Sequence, residues 1–202
     1  LFDTAFLATL PEKEVRSGMT EVIKHAMISD EKWLADLMHQ SVTQLDEHTL
    51  ADYLAKGIQV KAKIVEQDET EQSVRKYLNL GHTYGHAIEA VAGYGKVTHG
   101  EAVMIGLVYM LLLSETYGAI TPDFTKKFAQ FAVVNGYPLE AVHAYTFAEL
   151  SGYLMKDKKA DYGELQFVLL QKIGEPFMQK VDITECEAVD ARLRQLLTEV
   201  QR

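Results

Sequence analysis

Leu78-Asn79-Leu80-Gly81-His82-Thr83-Tyr84-Gly85-His86, followed shortly by His99-Gly100-Glu101-Ala102-Val103, decides how this chain is read. Three of the seven histidines fall in this span. His82 and His86 are four residues apart, so a helix through them carries both imidazoles on one face. Neutral imidazole is the commonest protein metal ligand and titrates close to physiological pH. The run that follows, Ala102 to Leu113, is apolar and interrupted only by Gly106. A bilayer-crossing helix needs about 20 apolar residues, so this run predicts a buried helix. A carboxylate-bearing helix lies upstream, at Met19-Thr20-Glu21-Val22-Ile23-Lys24-His25. Together these features point to a catalytic metal site.

Outward from there the pattern is helical nearly throughout. Pro11 with Glu12 and Glu14 marks a helix start, and Val15, Met19, Val22, Ile23, Ala26 and Met27 follow at helical spacing. Asp30 caps a short helix through Trp33, Leu34 and Leu37. Further helices are predicted over 49–67, 74–91, 99–117, 123–134 and 146–155, with an amphipathic one from Glu185 to Val200. Only 163–177 reads as extended, a hairpin turning near Gly174-Glu175-Pro176. The fold class is therefore mainly α: one multi-helix domain spanning 1–202 with a small C-terminal β-hairpin. No internal repeat, low-complexity linker or domain boundary is visible. Leu1-Phe2-Asp3-Thr4-Ala5-Phe6-Leu7 reads as a continuation of something that precedes it, so a fragment is expected.

The net charge of −9 argues against nucleic acid as a partner. It does not exclude small anions, which local Lys and Arg clusters decide. The single cysteine, Cys186, excludes a disulfide framework and a cysteine zinc finger, and fits a reducing, cytoplasmic setting.

Catalytic zinc takes three His, Asp or Glu ligands and leaves one position open. Spacing alone offers His82 and His86 with one of Glu89, His99 or Glu101. The bland alternative is a polar helix face or a hydrogen-bonded core. Gly81 and Gly85 each cost a helix interior roughly 1 kcal/mol, so their presence suggests close backbone approach to a ligand or another helix. Lys24 stands in an apolar stretch three residues after Glu21. The pair is either a helical salt bridge or a ligand beside an anion-binding ammonium. Lys61, Lys63, Arg75, Lys76 and Lys156-Asp157-Lys158-Lys159 are further anion-binding candidates, although charge runs are usually solvated faces. Gly-x-Gly-x-x-Gly, a Walker loop and His-Glu-x-x-His are all absent. His25, His39, His48 and His143 have no sequence partner and are read as surface or core residues.

Arg16-Ser-Gly-Met-Thr-Glu-Val-Ile-Lys-His25, the segment Leu78 to Glu89, Gly93-Tyr94-Gly95, His99-Gly-Glu-Ala-Val103 and Asp157-Lys-Lys159 resemble, in order along the chain, the 3-dehydroquinate synthases of the sugar phosphate cyclase family. The resemblance covers only the C-terminal, mostly helical domain of that family. It implies an N-terminal NAD-binding α/β domain that this chain lacks, with Phe6, Leu7, Ala8 and Thr9 matching a stretch that touches the cofactor. It also implies Zn²⁺ or Co²⁺ held by Glu21, His82 and His99, which moves His86 from the ligand set to a catalytic place near the substrate. Lys24, Lys61, Glu71, Arg75, Asn79 and Lys159, the last paired with Lys158 as the alternative, match substrate-site positions. Lys24 and Asn79 are expected towards a phosphate, Lys61 and Arg75 towards a carboxylate or hydroxyls.

The implied reaction converts 3-deoxy-D-arabino-heptulosonate 7-phosphate, a phosphorylated sugar acid, to 3-dehydroquinate and phosphate in the shikimate pathway, with NAD⁺. The full-length enzyme is expected to be a cytoplasmic homodimer, with no membrane partner, and the isolated domain to be inactive. Two alternatives stand beside this one. One is a related cyclase such as 2-deoxy-scyllo-inosose or valiolone synthase; the other is a non-catalytic, metal-stabilised helical module.

Overall fold

The computed structural model describes residues 7, 9–93, 95–157 and 164–201, with the side chains of 156 and 157 excepted. Among them lie eight α-helices and one hairpin: α1 (Glu12–Met27), α2 (Glu31–Met38), α3 (Glu47–Gln67), α4 (His82–Ala92), α5 (His99–Tyr117), α6 (Pro122–Val134), α7 (Phe147–Asp157), β1 (Glu164–Lys172), β2 (Glu175–Asp182) and α8 (Ile183–Val200). Short 3-10 segments cover Val74–Asn79 and Leu139–Ala144.

The centre of the fold is α5. It is buried from Gly100 through Ser114, with α1, α4, α6, α8 and β1 packed around it. By length and composition it could cross a membrane, but 83% of its most apolar window is buried by these neighbours, the environment of a core helix. Thr98 starts it with a capping box: its hydroxyl accepts from the Glu101 amide, and the Glu101 carboxylate accepts from the Thr98 amide. Asp30, Asp46, Thr121 and Asp182 cap α2, α3, α6 and α8 in the same side-chain-to-amide manner. The antiparallel hairpin pairs Glu164 with Asp182 and Leu169 with Phe177, with an irregularity between Leu170 and Lys172. β1 lays Leu165, Phe167 and Leu169 into the core.

One predicted element divides. The helix expected over 74–91 is a 3-10 segment, a break at Leu80-Gly81, and then α4. Gly81 is the cause: it is the α4 N-cap at φ +79°, a left-handed conformation that only glycine adopts without strain. Gly81 is thus no helix interior, and the penalty assigned to it there does not apply. Of the two explanations for the glycines, the structure displays the second helix. A Cβ on Gly106 of α5 would stand 1.9 Å from the Gly81 carbonyl oxygen, and one on Gly85 would stand 3.0 Å from that of Ala102. Backbone contact this close sets His82 and His86 against the start of α5.

Candidate metal and anion site

Three helices converge at the N-terminal end of α5. His82 is the first residue of α4 and His99 the first of α5, while Glu21 lies in the middle of α1. The Gly100 amide donates to the Ser17 hydroxyl at 3.0 Å, which holds α1 against α5 beside His99. The centroids of the imidazoles of His82, His86 and His99 lie 5.2 to 5.6 Å apart. Each offers a ligand atom within 4.8 Å of the other two.

Glu21, on α1, adjoins His82. Its Oε1 lies 3.5 Å from His82 Nε2, and its Oε2 accepts from Lys24 Nζ at 2.7 Å. Oε1 itself is buried and has no hydrogen-bond partner. A tetrahedral ion with arms of about 2.0–2.1 Å spaces neighbouring ligand atoms by about 3.4 Å, close to the Glu21–His82 separation. The other ring nitrogens are already engaged: His82 Nδ1 meets the Leu80 carbonyl and His99 Nδ1 the Glu89 carboxylate, both at 3.1 Å. Such contacts fix a tautomer that leaves Nε2 as the ring nitrogen able to ligate. The donor set therefore fits a divalent ion. Among the spacing candidates, Glu89 supports His99, while Glu101 is committed to Thr98 and faces Lys13 and Arg16.

The electrostatics suit ligation. Burial and the Lys24 ammonium push His82 down to about 4, so its imidazole is neutral at pH 7. Burial opposes the charged form of Glu21, yet the Lys24 charge and hydrogen bond prevail and hold its carboxyl below the ordinary value. Burial lowers Lys24 from the usual lysine value, and Glu21 opposes that shift.

Beside this group opens a cavity of about 210 Å³, lined by Glu21, Lys24, His25, Lys61, Glu71, Arg75, Leu78, Asn79 and His82. Lys24, Lys61, Arg75, Asn79 and Glu71, scattered along the sequence, therefore share one chamber. A larger cavity, about 820 Å³, lies elsewhere, between α2 and α6, with Leu34, Met38, Phe124 and Phe131 among its walls. The smaller one is the polar one: seven of its nine lining side chains ionise.

Its outer wall is a loop that Asp68 organises. The Asp68 carboxylate accepts from the amides of Gln72, Ser73 and Arg75; although its burial works the other way, these bonds hold it down to about 2. Glu71 sits in this loop at φ +57°, an uncommon conformation for a non-glycine residue, and accepts from Asn79 Nδ2 at 2.7 Å. The Arg75 guanidinium is turned to the Glu69 carbonyl.

Sequence reasoning missed His25. It is buried, lines the cavity, and its Nε2 has no hydrogen-bond partner. Burial and Lys24 depress it to about 4. Its place four residues after Glu21 on one helix was the available signal. Leu7 accepts from the Leu10 amide, and Thr9 is among the described residues. Phe6, Ala8, Tyr94, Lys158 and Lys159 lie outside the described residues.

The two depressed histidines make stability depend on pH. Between pH of about 6.5 and about 4 the unfolded chain holds protons on His25 and His82 and the folded chain does not. With metal chelated, acidification through that window is expected to remove stability, up to about 3 kcal/mol for each imidazole. Urea unfolding at pH 7 and pH 5 measures it, and equal midpoints would refute the assignment.

Comparison with solved structures shows the class of fold. With a TM-score of 0.77 at 23% identity, the chain matches 2-deoxy-scyllo-inosose synthase complexed with carbaglucose-6-phosphate, NAD⁺ and Co²⁺, covering 96% of this chain and 54% of that one. With a TM-score of 0.76 at 21% identity, it matches 2-epi-5-epi-valiolone synthase from Streptomyces hygroscopicus with NAD⁺ and Zn²⁺ bound. The chain thus shares the fold of about half of each of these two synthases. The 3-dehydroquinate synthase C-terminal family model matches residues 18–160, and the chain belongs to that family. It is 66% identical to the 3-dehydroquinate synthase of Lysinibacillus sphaericus over 99% of its own length and 55% of the relative's. To that of Listeria monocytogenes it is 44% identical, over 90% and 50%. The chain spans about half the length of the curated relatives it matches.

Proposed function

We propose that this chain is the metal- and substrate-binding half of a 3-dehydroquinate synthase, acting on 3-deoxy-D-arabino-heptulosonate 7-phosphate to give 3-dehydroquinate and phosphate. One observation carries the reading. The buried, unpartnered Glu21 Oε1 faces His82 Nε2 at the wall of a chamber that also holds Lys24, Lys61 and Arg75. Metal ligands and anion-binding cations in one small cavity suit a substrate that carries both hydroxyls to be polarised and a phosphate to be expelled.

In this reading Glu21, His82 and His99 hold Zn²⁺ or Co²⁺, and His86, beside His82 and His99, stays outside the ligand shell. The bound ion supplies Lewis acidity towards a substrate oxygen and NAD⁺, held by a further domain, the hydride acceptor. The remaining work belongs to side chains. Lys24, pinned by Glu21 at 2.7 Å, presents a fixed point charge to the phosphate, with Asn79 beside it. Arg75 and Lys61 take the carboxylate and hydroxyls, Arg75 after leaving the Glu69 carbonyl. His86 removes the proton from the ring hydroxyl that is oxidised. Glu71 orients Asn79 through their hydrogen bond. Lys159 joins them from outside the described residues, and Phe6 to Thr9 belong to the cofactor side.

The test joins this chain to the half of the Lysinibacillus relative that it does not match and follows phosphate release. Turnover of the heptulosonate phosphate is expected from the joined protein with NAD⁺ and zinc, and none from the chain alone. His86→Ala is expected to lose 10²-fold or more in kcat while keeping zinc, the scale of a lost acid–base group. Loss of zinc in that variant would return His86 to the ligand set. Activity on a different sugar phosphate only would favour a related cyclase, and a fully closed metal shell would favour the non-catalytic module.

A further inference from the structure

Two buried tyrosines tie the histidine-bearing helices to the last helix of the chain. Tyr84 lies midway between His82 and His86. At 3.6 residues per turn it points to the opposite side of α4 from that pair, so it anchors the back of the helix whose front carries the imidazoles. Its ring stacks on Tyr109 of α5, with centroids 4.0 Å apart and planes within 9°. Both phenols end on α8. The Tyr84 hydroxyl donates to the Asp190 carboxylate, and the Tyr109 hydroxyl donates to the Cys186 carbonyl at 2.9 Å. Cys186 and Asp190 are four residues apart, so a single turn of α8 receives both.

That turn is itself fixed. Arg194 Nε donates to Asp190 Oδ2 at 2.6 Å and Nη2 to Oδ1 at 3.2 Å, while Nη1 donates to the Val142 carbonyl at 2.7 Å. Tyr84, Tyr109 and Cys186 have no solvent exposure and Asp190 has 3%. Burial raises both phenols well above the ordinary tyrosine value, so both hydroxyls remain donors. A buried network with its members paired permits few alternative arrangements. α8 also lies beyond the residues 18–160 that the family model matches.

We propose that α8 is a clasp behind the metal site, with Tyr84, Tyr109 and Asp190 as positioning residues that set His82 and His86 on α4 against His99 on α5. The proposal rests on the metal reading given above.

Zinc affinity, measured by chelator competition, and the visible spectrum of the Co²⁺-loaded chain test it. Tyr84→Phe removes one oxygen and keeps the stack; Asp190→Leu removes the acceptor and keeps roughly the shape of its partner. Both are expected to bind zinc about 10–100-fold more weakly, the scale of lost outer-sphere partners, and to alter the cobalt bands. The double variant is expected to be no weaker than the weaker single one, because both remove the same link. Phe128→Leu, buried in α6 and outside these contacts, is expected to lose stability while keeping affinity and spectrum. Wild-type zinc affinity and cobalt spectrum in a folded Tyr84→Phe would overturn the clasp. If that variant does not fold, Tyr109→Phe carries the same expectation and the same refutation. A wild-type chain that takes up no zinc would overturn the metal reading and the clasp together; insensitive variants of a zinc-binding wild type would overturn the clasp alone.

Discussion

Gly106→Ala is expected to destabilise the fold by about 3 kcal/mol or more and to weaken zinc binding with it. Helix propensity argues the other way, since alanine in a helix interior is worth about 1 kcal/mol over glycine. Packing decides. The added Cβ would meet the Gly81 carbonyl oxygen at 1.9 Å and the Gly85 amide nitrogen at 3.0 Å. Those two atoms form the first hydrogen bond of α4, at 3.0 Å, so the methyl group would intrude on the helix start itself. Gly81 cannot swing aside freely, because its own left-handed conformation makes the turn into His82. The helices must separate, and overpacking of this kind costs about 1–3 kcal/mol, more where backbone must move. Gly152→Ala is the control: it is exposed in α7, has nothing within 4 Å of the added carbon, and is expected to gain up to about 1 kcal/mol. Urea midpoints of the two variants measure the contrast. A Gly106→Ala protein as stable as the wild type would refute the close crossing of α4 and α5.

Features carried by local pattern were legible in the sequence. The apolar run Ala102–Leu113 announced a buried helix whichever way it faced, because no polar stripe interrupts it. Asp30 and the hairpin turn at Gly174 are signals of a few neighbouring residues, and both stand where they were expected. What depends on pairing across the chain was not legible from spacing. Glu21 meets His82 from another helix, 61 residues away, so the spacing of histidines alone could not select it. The resemblance alone proposes Glu21 as a ligand, whereas the three ligand atoms that stand together in the structure are those of His82, His86 and His99; the unpartnered Oε1 is what supports the proposal. Gly81 was misplaced because its positive φ, which ends one helical segment and starts another, leaves no trace in an apolar periodicity that continues on both sides. The Leu139–Ala144 turn has too few residues to show any period. Tyr84 and Asp190, 106 residues apart, had no common signal at all.

The second large effect belongs to His82. His82→Ala is expected to abolish stoichiometric zinc binding, whereas His86→Ala is expected to keep it. His82 is the hub of the group: its Nε2 faces Glu21 Oε1 at 3.5 Å, its ring centroid stands 5.2 Å from that of His99, and the Leu80 carbonyl fixes its tautomer. If Glu21, His82 and His99 are the ligands and His86 is not, the loss of His82 leaves two ligands on separate helices, too few for a tight catalytic ion. Thermal unfolding reads the difference without any enzyme assay. Free zinc at 100 times Kd stabilises a binding protein by about 2.7 kcal/mol, roughly 5–10 °C in Tm for a chain of this size. That shift is expected in the wild type and in His86→Ala, and is expected to vanish in His82→Ala. The apo form of His82→Ala also lacks one of the two depressed imidazoles, so its loss of stability between pH 7 and pH 5 is expected to shrink towards the share of His25 alone. A His82→Ala chain that still shows the zinc shift, or still carries one zinc per chain on elemental analysis, would dismantle the Glu21–His82–His99 assignment.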